Sequence, residues 1–458
     1  MPTFAADKMA AWTGGRWTRP PGGAVTGFSQ DTRQLATGQV FVALKTGKRD
    51  GLDFLPEAKT RGATAALVSR ESKTVTLPQL IVADPLRALQ RIAREHRREF
   101  HGTVVGVSGS VGKTSTKDLL GLLLGGASTV LATEGNLNNH LGVPLTLTRL
   151  DPAIHLAAVI EAGISGPGEM QPLADMIEPE HSLITLVAPA HLEKLGSLDG
   201  VALEKSHLPA ANRPGGQAVF PASCWAFEPF RALANPLVLV PESEAMTKAG
   251  GRTMKFNVLH RPDRTEVTLA GKRRFVLRRV SNGMAQNAAL ALALGGELGV
   301  QDTVLQARLA DWSPSKWRGE LRAFGDAMVY CDFYNANPAS MTDAIDAFNS
   351  AVPADLPRLY VLGCMEELGH ASVLYHRQLG RLLHLRRGDF LFALGDQAAA
   401  LREGLLENGN DPAQVAVIAG LAPVRERLAG FKGAVFLKGS RRYQLETVLE
   451  PHAVTHAH

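Results

Sequence analysis

Cysteine is scarce in this chain: Cys224, Cys331 and Cys364 are the three present in 458 residues. An odd number with no Cys-x-x-Cys spacing excludes a fold held by disulfides and predicts a reducing compartment. Long apolar runs are lacking as well. None approaches the length needed to cross a bilayer, and residues 1–19 contain no apolar core of signal-peptide length, so the protein is expected in the cytoplasm without a membrane partner. No block of one-sign charge exists: the formal net charge is +5 and the basic residues are spread along the chain. The two small clusters, Lys272-Arg273-Arg274 and Arg278-Arg279, read as a solvated face, so nucleic acid is not expected as a partner. The slight positive surplus suits an anionic substrate such as a nucleotide sugar. Internal repeats and low-complexity tracts are missing too. What remains, 45% hydrophobic and 20% charged residues, is the composition of an ordinary soluble globular protein. A length of 458 residues exceeds what one hydrophobic core serves, which predicts two to four domains.

The most informative stretch is Gly106-Val107-Ser108-Gly109-Ser110-Val111-Gly112-Lys113-Thr114-Ser115, between a β-branched run at 103–105 and a leucine-rich helix at 117–124. Strand, glycine turn and helix in that order make a phosphate cradle. Gly109, Ser110 and Gly112 let backbone N–H groups close around phosphate oxygens, Lys113 brings a mobile cation, and the hydroxyl of Thr114 or Ser115 can hold Mg²⁺. ATP and Mg²⁺ are therefore the expected cofactors. The spacing departs from the common phosphate loop, which would put a glycine at Val107, but the strand–turn–helix context stands.

Around this loop the chain reads as α/β throughout. Short strands at 40–44, 65–68 and 80–82 alternate with helical segments, and a helix is expected over 85–100. A strand-then-helix rhythm follows, with strands at 104–107, 129–131, 156–160 and 183–187, which predicts a parallel sheet with helices on both faces. A β-rich patch is expected over 219–280, a helix over 284–298, a linker at Ser313-Pro314-Ser315, and a third α/β unit with strands at 360–362, 390–394 and 434–437. The domain limits are placed at 1–98, 99–313 and 314–458. The histidines of 451–458 read as a frayed tail rather than a metal site.

Candidate site residues stand at the ends of apolar strands, where open α/β sheets put their ligands. Glu161 closes the strand at 156–160 and opens a glycine-rich turn; its carboxylate can complete a Mg²⁺ shell begun by Thr114, or it is a solvated turn glutamate. His191 follows the strand at 183–187 and is a candidate second metal ligand, the plainer alternative being a structural or solvated histidine. Lys205, on a helix after that loop, reads by itself as a surface lysine. Asn136, Asn138 and Asn139 fall within four positions and suit a polar, peptide-like ligand, or else form a run of caps and turns. In the last unit Asp332 ends a strand at 328–331 and is placed for a ribose hydroxyl, with Arg318 upstream for a phosphate. Lys438-Gly439-Ser440-Arg441 ends another strand with two cations at a glycine turn, which suits a carboxylate.

Three motifs together resemble the Mur ligase family over nearly the whole chain. They are Glu134-Gly135-Asn136-Leu137-Asn138-Asn139-His140-Leu141-Gly142-Val143-Pro144-Leu145-Thr146, then Ala190-His191-Leu192-Glu193 with Gly196-Ser197, and Tyr334-Asn335-Ala336-Asn337-Pro338-Ala339-Ser340-Met341. The Asn335-Ala336-Asn337-Pro338 form resembles the type that adds D-alanyl-D-alanine to UDP-N-acetylmuramoyl-tripeptide. Asp31-Thr32-Arg33, Gly38 through Phe41, and Arg49-Asp50-Gly51 look like the family's UDP-binding segment. The resemblance implies three α/β domains: a small UDP-sugar-binding domain, a central parallel-sheet P-loop ATPase domain and a Rossmann-like C-terminal domain. It implies an ADP-forming ligase of peptidoglycan synthesis that works through an acyl phosphate, with Lys113 and Arg318 offsetting phosphoryl charge; a monomer is the expected working unit. By the same resemblance Glu161 and His191 match magnesium ligands, and Lys205 matches a lysine carbamylated to carry a metal-binding acid. Asn335, Asn337, Lys438, Ser440 and Arg441 fall with the asparagine cluster on the substrate side, and Asn287 and Asp332 on the nucleotide side.

This chain departs from the family pattern at several points. Ahead of the helix holding Asn287, Gly283-Met284 replace a His-Asn pair that usually helps seat adenine. Cys331-Asp332 stands for an aspartate pair, Cys364 for an aspartate, Leu52 for a histidine and Ser206-His207 for Gly-Glu. Two other readings stay open: a homologue with weakened catalysis that binds or regulates, and a generic P-loop kinase or GTPase, which predicts neither the asparagine cluster nor an acyl phosphate.

Overall fold

The computed structural model describes residues 2–245 and 250–450. The strands form three sheets, of five, nine and six strands, in succession along the chain. In the first, Arg16–Trp17 pairs antiparallel with Gln79–Ile81, followed by Ala65–Val68, Gln39–Val42 and Gly27–Ser29, all parallel. Alternate residues of these strands enter two different cores. Val40, Val42, Ala65 and Leu67 face one side, and Phe41, Ala43, Ala66 and Val68 the other. A sheet covered on both faces explains why its strands read as continuous apolar runs.

Helix Pro85–Arg98 ties this first unit to the next. Asp84 caps it by accepting from the amides of Leu86 and Arg87, with Pro85 in the first turn. Its Ala88, Leu89 and Ile92 pack into the first core, whereas Ala93 belongs to the core of the middle unit. Arg97, with no exposed side-chain surface, reaches across: Nε donates to Ile177 O at 2.8 Å and Nη2 to Glu178 O at 2.8 Å and the Glu180 carboxylate at 2.7 Å. Arg97→Ala takes the side-chain donor from Ile177 O and Glu178 O and leaves the Glu180 carboxylate to Arg213 and Val104 N, so a loss of about 3 kcal/mol is expected. Calorimetry should show a lowered thermal midpoint; an unchanged one would mean the junction does not depend on Arg97.

The middle sheet runs in the order Arg273–Arg278, Arg264–Leu269, Arg252–His260, Pro236–Pro241, Ala218–Pro221, His181–Ile184, Thr103–Ser108, Ala157–Glu161, Val130–Ala132. From Arg252–His260 onward all neighbours are parallel, and the β-rich patch supplies an antiparallel edge. Helices Lys113–Leu124 and Asn282–Glu297 cover one face through Leu119, Leu120, Leu123 and the alanine-leucine stripe 288–294. Met170–Ile177 and Leu198–Ala210 cover the other. The expected strand at 183–187 stops at Ile184 for a physical reason: Thr185 Oγ1 donates to Val111 O at 2.5 Å and Leu186 O accepts from Ser110 N at 2.7 Å. The segment leaves the ladder to brace the phosphate loop.

The third sheet runs Glu320–Phe324, Ala327–Asp332, Ala434–Lys438, Arg358–Gly363, Phe390–Leu394, Val415–Ile418, the first pair antiparallel and the rest parallel. The basic clusters find local partners: Arg273 pairs with Asp302 and Arg274 with Glu266. All three cysteines are free and buried. Among the described residues no helix is long and apolar enough to cross a membrane. The histidine-containing tail at 451–458 lies outside the described residues.

Candidate active site

The strand Thr103–Ser108 lies between Ala157–Glu161 and His181–Ile184, the point where the chain's strand order reverses and a crevice opens. The phosphate loop follows it. Gly109 and Gly112 hold φ of 142° and 75°, and a Cβ on the first would run into Thr185 Oγ1 and on the second into Asn287 Nδ2. These two positions need glycine for both conformation and space. The Ser110 hydroxyl turns inward, donating to Ala188 O at 2.9 Å and accepting from Ala188 N at 3.0 Å, so the loop is braced before any ligand arrives. Helix Lys113–Leu124 starts at the loop and presents its N-terminal N–H groups and positive dipole end there. Burial pushes the Lys113 amine below its ordinary value, opposed by the Glu161 charge and reinforced by Arg318.

Glu161 is buried, and each of its groups but one is satisfied. Its backbone N–H donates to Thr133 Oγ1 at 2.9 Å and Oε1 accepts from Asn138 Nδ2 at 2.7 Å, while Oε2 is buried with no partner among the described residues. An orphaned carboxylate oxygen is costly unless something cationic meets it. Lys205 is 1% exposed, and among the described residues it makes no hydrogen bond or ion pair. Its pKa lies well below the ordinary lysine value, first because of burial and second because Lys113 is near. His191, at φ 54°, uses Nδ1 to bond the Glu367 carboxylate, and that bond holds Glu367 below the usual carboxylate range. Among the described residues no group of three or more His, Cys, Asp and Glu is arranged to hold a metal. Glu161 Oε2, which accepts from no donor among the described residues, is an acceptor that fits a cation.

The C-terminal unit closes over this crevice. A cavity of about 690 Å³ is lined by Thr114, Lys117 and Thr133 from one side and by Trp317, Arg318 and Tyr334 from the other. The Arg318 guanidinium stacks on Tyr334 at 4.1 Å, which aims a cation into the cleft. Asn337 caps helix Pro338–Ala351 in a reciprocal box with Ser340 and also donates to Ser110 O at 3.3 Å. Lys438 is buried and its hydrogen bonds run inward, to Asp332 Oδ2 at 2.7 Å and Asn335 O at 3.2 Å, so it orders the Asp332 turn. Ser440 Oγ accepts from Glu366 N at 3.2 Å, and Arg441 pairs with Glu446 at 2.5 Å above the Trp317 ring.

The asparagine cluster divides in function: Asn138 holds Glu161, Asn139 caps by accepting from Leu141 N and Gly142 N, and Asn136 is exposed with its amide unused. Asp31, Thr32 and Arg33 sit after strand Gly27–Ser29 on the first unit, where Asp31 caps the turn and Arg33 lowers its pKa. Sequence reasoning missed Thr133, Thr185, Asp343 and Glu367. Asp343, on helix Pro338–Ala351, accepts from Gly283 N at 2.8 Å, and a Cβ on Gly283 would lie 2.7 Å from its Oδ2. The small residue at 283 thus makes room for a carboxylate from the other unit. Glu367 had a signal: it lies in the loop that follows strand Arg358–Gly363, as His191 lies in the loop after His181–Ile184.

Two family profiles match this chain, the Mur ligase middle domain over residues 107–294 and the Mur ligase glutamate ligase domain over 317–441. The UDP-N-acetylmuramoyl-tripeptide--D-alanyl-D-alanine ligase of Escherichia coli strain K12 is 32% identical over 425 residues, spanning 92% of either chain. The protein of the same description from Haemophilus influenzae is 30% identical over 438 residues, again 92% of either chain. Among solved structures, MurF from Acinetobacter baumannii superposes with a TM-score of 0.85 at 26% identity over 98% of both chains. MurF ligase from Thermotoga maritima in complex with ADP gives 0.77 at 26% identity, over 93% of this chain and 96% of that one.

Proposed function

The chain belongs to the Mur ligase family, and from that membership we propose that it joins D-alanyl-D-alanine to UDP-N-acetylmuramoyl-tripeptide with ATP, releasing ADP and phosphate. The product is the pentapeptide precursor of peptidoglycan. The observation that carries the phosphoryl chemistry is the unpartnered buried oxygen of Glu161 on the strand beside the phosphate loop.

In this reading Thr114, Glu161, His191 and a carbamylated Lys205 hold Mg²⁺, which when bound neutralises charge on the ATP phosphates. The state of Lys205 suits the modification. A neutral amine adds to CO₂ and loses a proton to give a carbamate, which replaces the repulsion between Lys205 and Lys113 by attraction. The loop N–H groups at Gly109, Gly112 and Ser115, with Lys113 and Arg318, bind the phosphate oxygens and meet the charge on the phosphoryl group in flight, while Ser110, whose N–H is spent on Leu186 O, shapes the loop rather than donating to phosphate. A carboxylate oxygen of the tripeptide attacks the γ-phosphorus, the bond to the bridging oxygen breaks and ADP leaves with its electron pair. The D-alanyl-D-alanine amine then attacks the acyl carbon, gives up a proton and expels phosphate.

Asn287 and Asp332 fall to the nucleotide; Asp31, Thr32 and Arg33 to the UDP moiety; Asn136, Asn138, Asn139, Asn335, Asn337, Lys438, Ser440 and Arg441 to the peptide substrates or the turns that shape their site. We assign the domains to 1–98, 99–313 and 314–458, each enclosing one sheet. We also infer a monomer working in the cytoplasm with no membrane or nucleic-acid partner. Three buried free thiols support a reducing compartment.

Full-length protein assayed across UDP-muramoyl peptides and dipeptides should release ADP only when both the tripeptide and D-alanyl-D-alanine are present. With the tripeptide carboxylate labelled in ¹⁸O, label should appear in the released phosphate. ADP release that ignores the dipeptide would sink the ligase reading in favour of a kinase. Tight binding of both substrates without turnover would favour the weakened homologue, for which the carboxylate of Asp343 lodged at Gly283 is the supporting observation.

A further inference from the structure

We propose that Glu367, on the C-terminal domain, is a positioning residue for the cation site of the middle domain: it holds the His191 ring so that Nε2 is left bare toward the cation. The proposal rests on the reading of His191 as a cation ligand. The first observation is the hydrogen bond from His191 Nδ1 to Glu367 Oε2, made between side chains 176 residues apart in sequence. An imidazole that donates from Nδ1 carries its lone pair on Nε2, the form a metal takes, and a carboxylate behind the ring fixes its orientation and tautomer.

The second observation is that the two backbones are built around this contact. Glu193 N donates to Glu367 O at 3.0 Å, and Gly369 approaches so closely that a Cβ there would lie 3.1 Å from Glu193 Cα. The third is conformational. Among the described residues six non-glycine residues have positive φ, and His191 at 54° and Glu367 at 62° are two of them, facing each other across the interface. Such conformations persist where the surroundings over-determine them, and they cluster at functional sites. A solvated surface pair would need none of this scaffolding. A ligand on one domain is thereby aimed by a residue of another.

The side chain of Glu367 is half exposed, so its replacement leaves the cores intact. The test uses Mn²⁺ with saturating β,γ-methylene-ATP on the full-length protein. Affinity is read from free Mn²⁺ by electron paramagnetic resonance, and imidazole coordination from the ¹⁴N modulation of the spin echo. Wild type should show the ¹⁴N signal and His191→Ala should lack it. Glu367→Ala should bind Mn²⁺ about 10–100-fold more weakly with most of the ¹⁴N modulation gone. Glu367→Gln, whose amide oxygen still accepts from Nδ1–H, should recover much of both, which a loss of bulk packing would not explain. Wild-type affinity and full modulation in Glu367→Ala, with His191→Ala silent, overturns the positioning role and leaves His191 as a ligand. A ¹⁴N signal that survives His191→Ala overturns the ligand reading itself.

Discussion

Lys113→Ala should lower turnover by about 10³-fold or more while leaving the affinity for UDP-N-acetylmuramoyl-tripeptide nearly unchanged. The size follows from the work asked of this cation. Phosphoryl transfer involves little covalent help from a protein, and removing one preorganised positive group from the transferring phosphate has costs of that order. The separation of effects follows from the fold. Lys113 opens helix Lys113–Leu124 on the middle sheet, whereas Asp31 and Arg33 sit on the first sheet, whose cores are distinct. Burial already holds the Lys113 amine below its usual value. The apo enzyme therefore stores an under-solvated cation that an incoming phosphate satisfies, and its removal should not lower thermal stability. Steady-state kinetics alongside calorimetric titration with the UDP-tripeptide checks this; an equal loss of tripeptide affinity would refute the division of labour. Lys113→Arg should not restore activity, since a planar guanidinium cannot substitute for a compact ammonium at the end of a tight loop.

The second large effect is expected at Lys205. Truncation to alanine should reduce turnover by about 10³-fold, the equivalent of about 4 kcal/mol of lost charge stabilisation. Short-chain carboxylic acids in the assay should restore part of it. Alanine suits the middle of helix Leu198–Ala210, and removal of a side chain that is 1% exposed vacates a buried space that a small acid can fill, returning the missing anion. If Lys205 were merely a packed side chain, alanine would cost stability without responding to acids. Protein equilibrated with ¹³C-labelled CO₂ should show a carbamate resonance that Lys205→Ala lacks. No loss of activity at all would remove Lys205 from the cation site.

Lys205 also shows how the sequence could be read further. By itself it passes for a surface lysine, yet it stands four residues after Val201 and three before Leu208, on the buried stripe of its helix. A lysine on an apolar stripe is legible by period alone. The strand ends were likewise legible: Glu161, Asp332 and Lys438 fall on terminal strand positions, because a parallel sheet presents its ligand-binding edge there. The truncated strand at Ile184 was not, since the hydrogen bonds that pull 185–188 away come from the phosphate loop more than 70 residues earlier. The substitution of Gly283 became intelligible only with Asp343 beside it, 60 residues further on.

The phosphate loop, the three α/β units and the edges where chemistry gathers are legible in the amino-acid order, because they depend on local backbone freedom and on the repeat of apolar residues, properties written within a dozen positions. Which charges are partnered was settled by the packing of the domains. It turned Lys438 inward to Asp332, left one oxygen of Glu161 and the amine of Lys205 without partners among the described residues, and set Glu367 behind His191. Burial and ion pairing depend on distances between side chains far apart along the chain, and those exist only once the domains have packed.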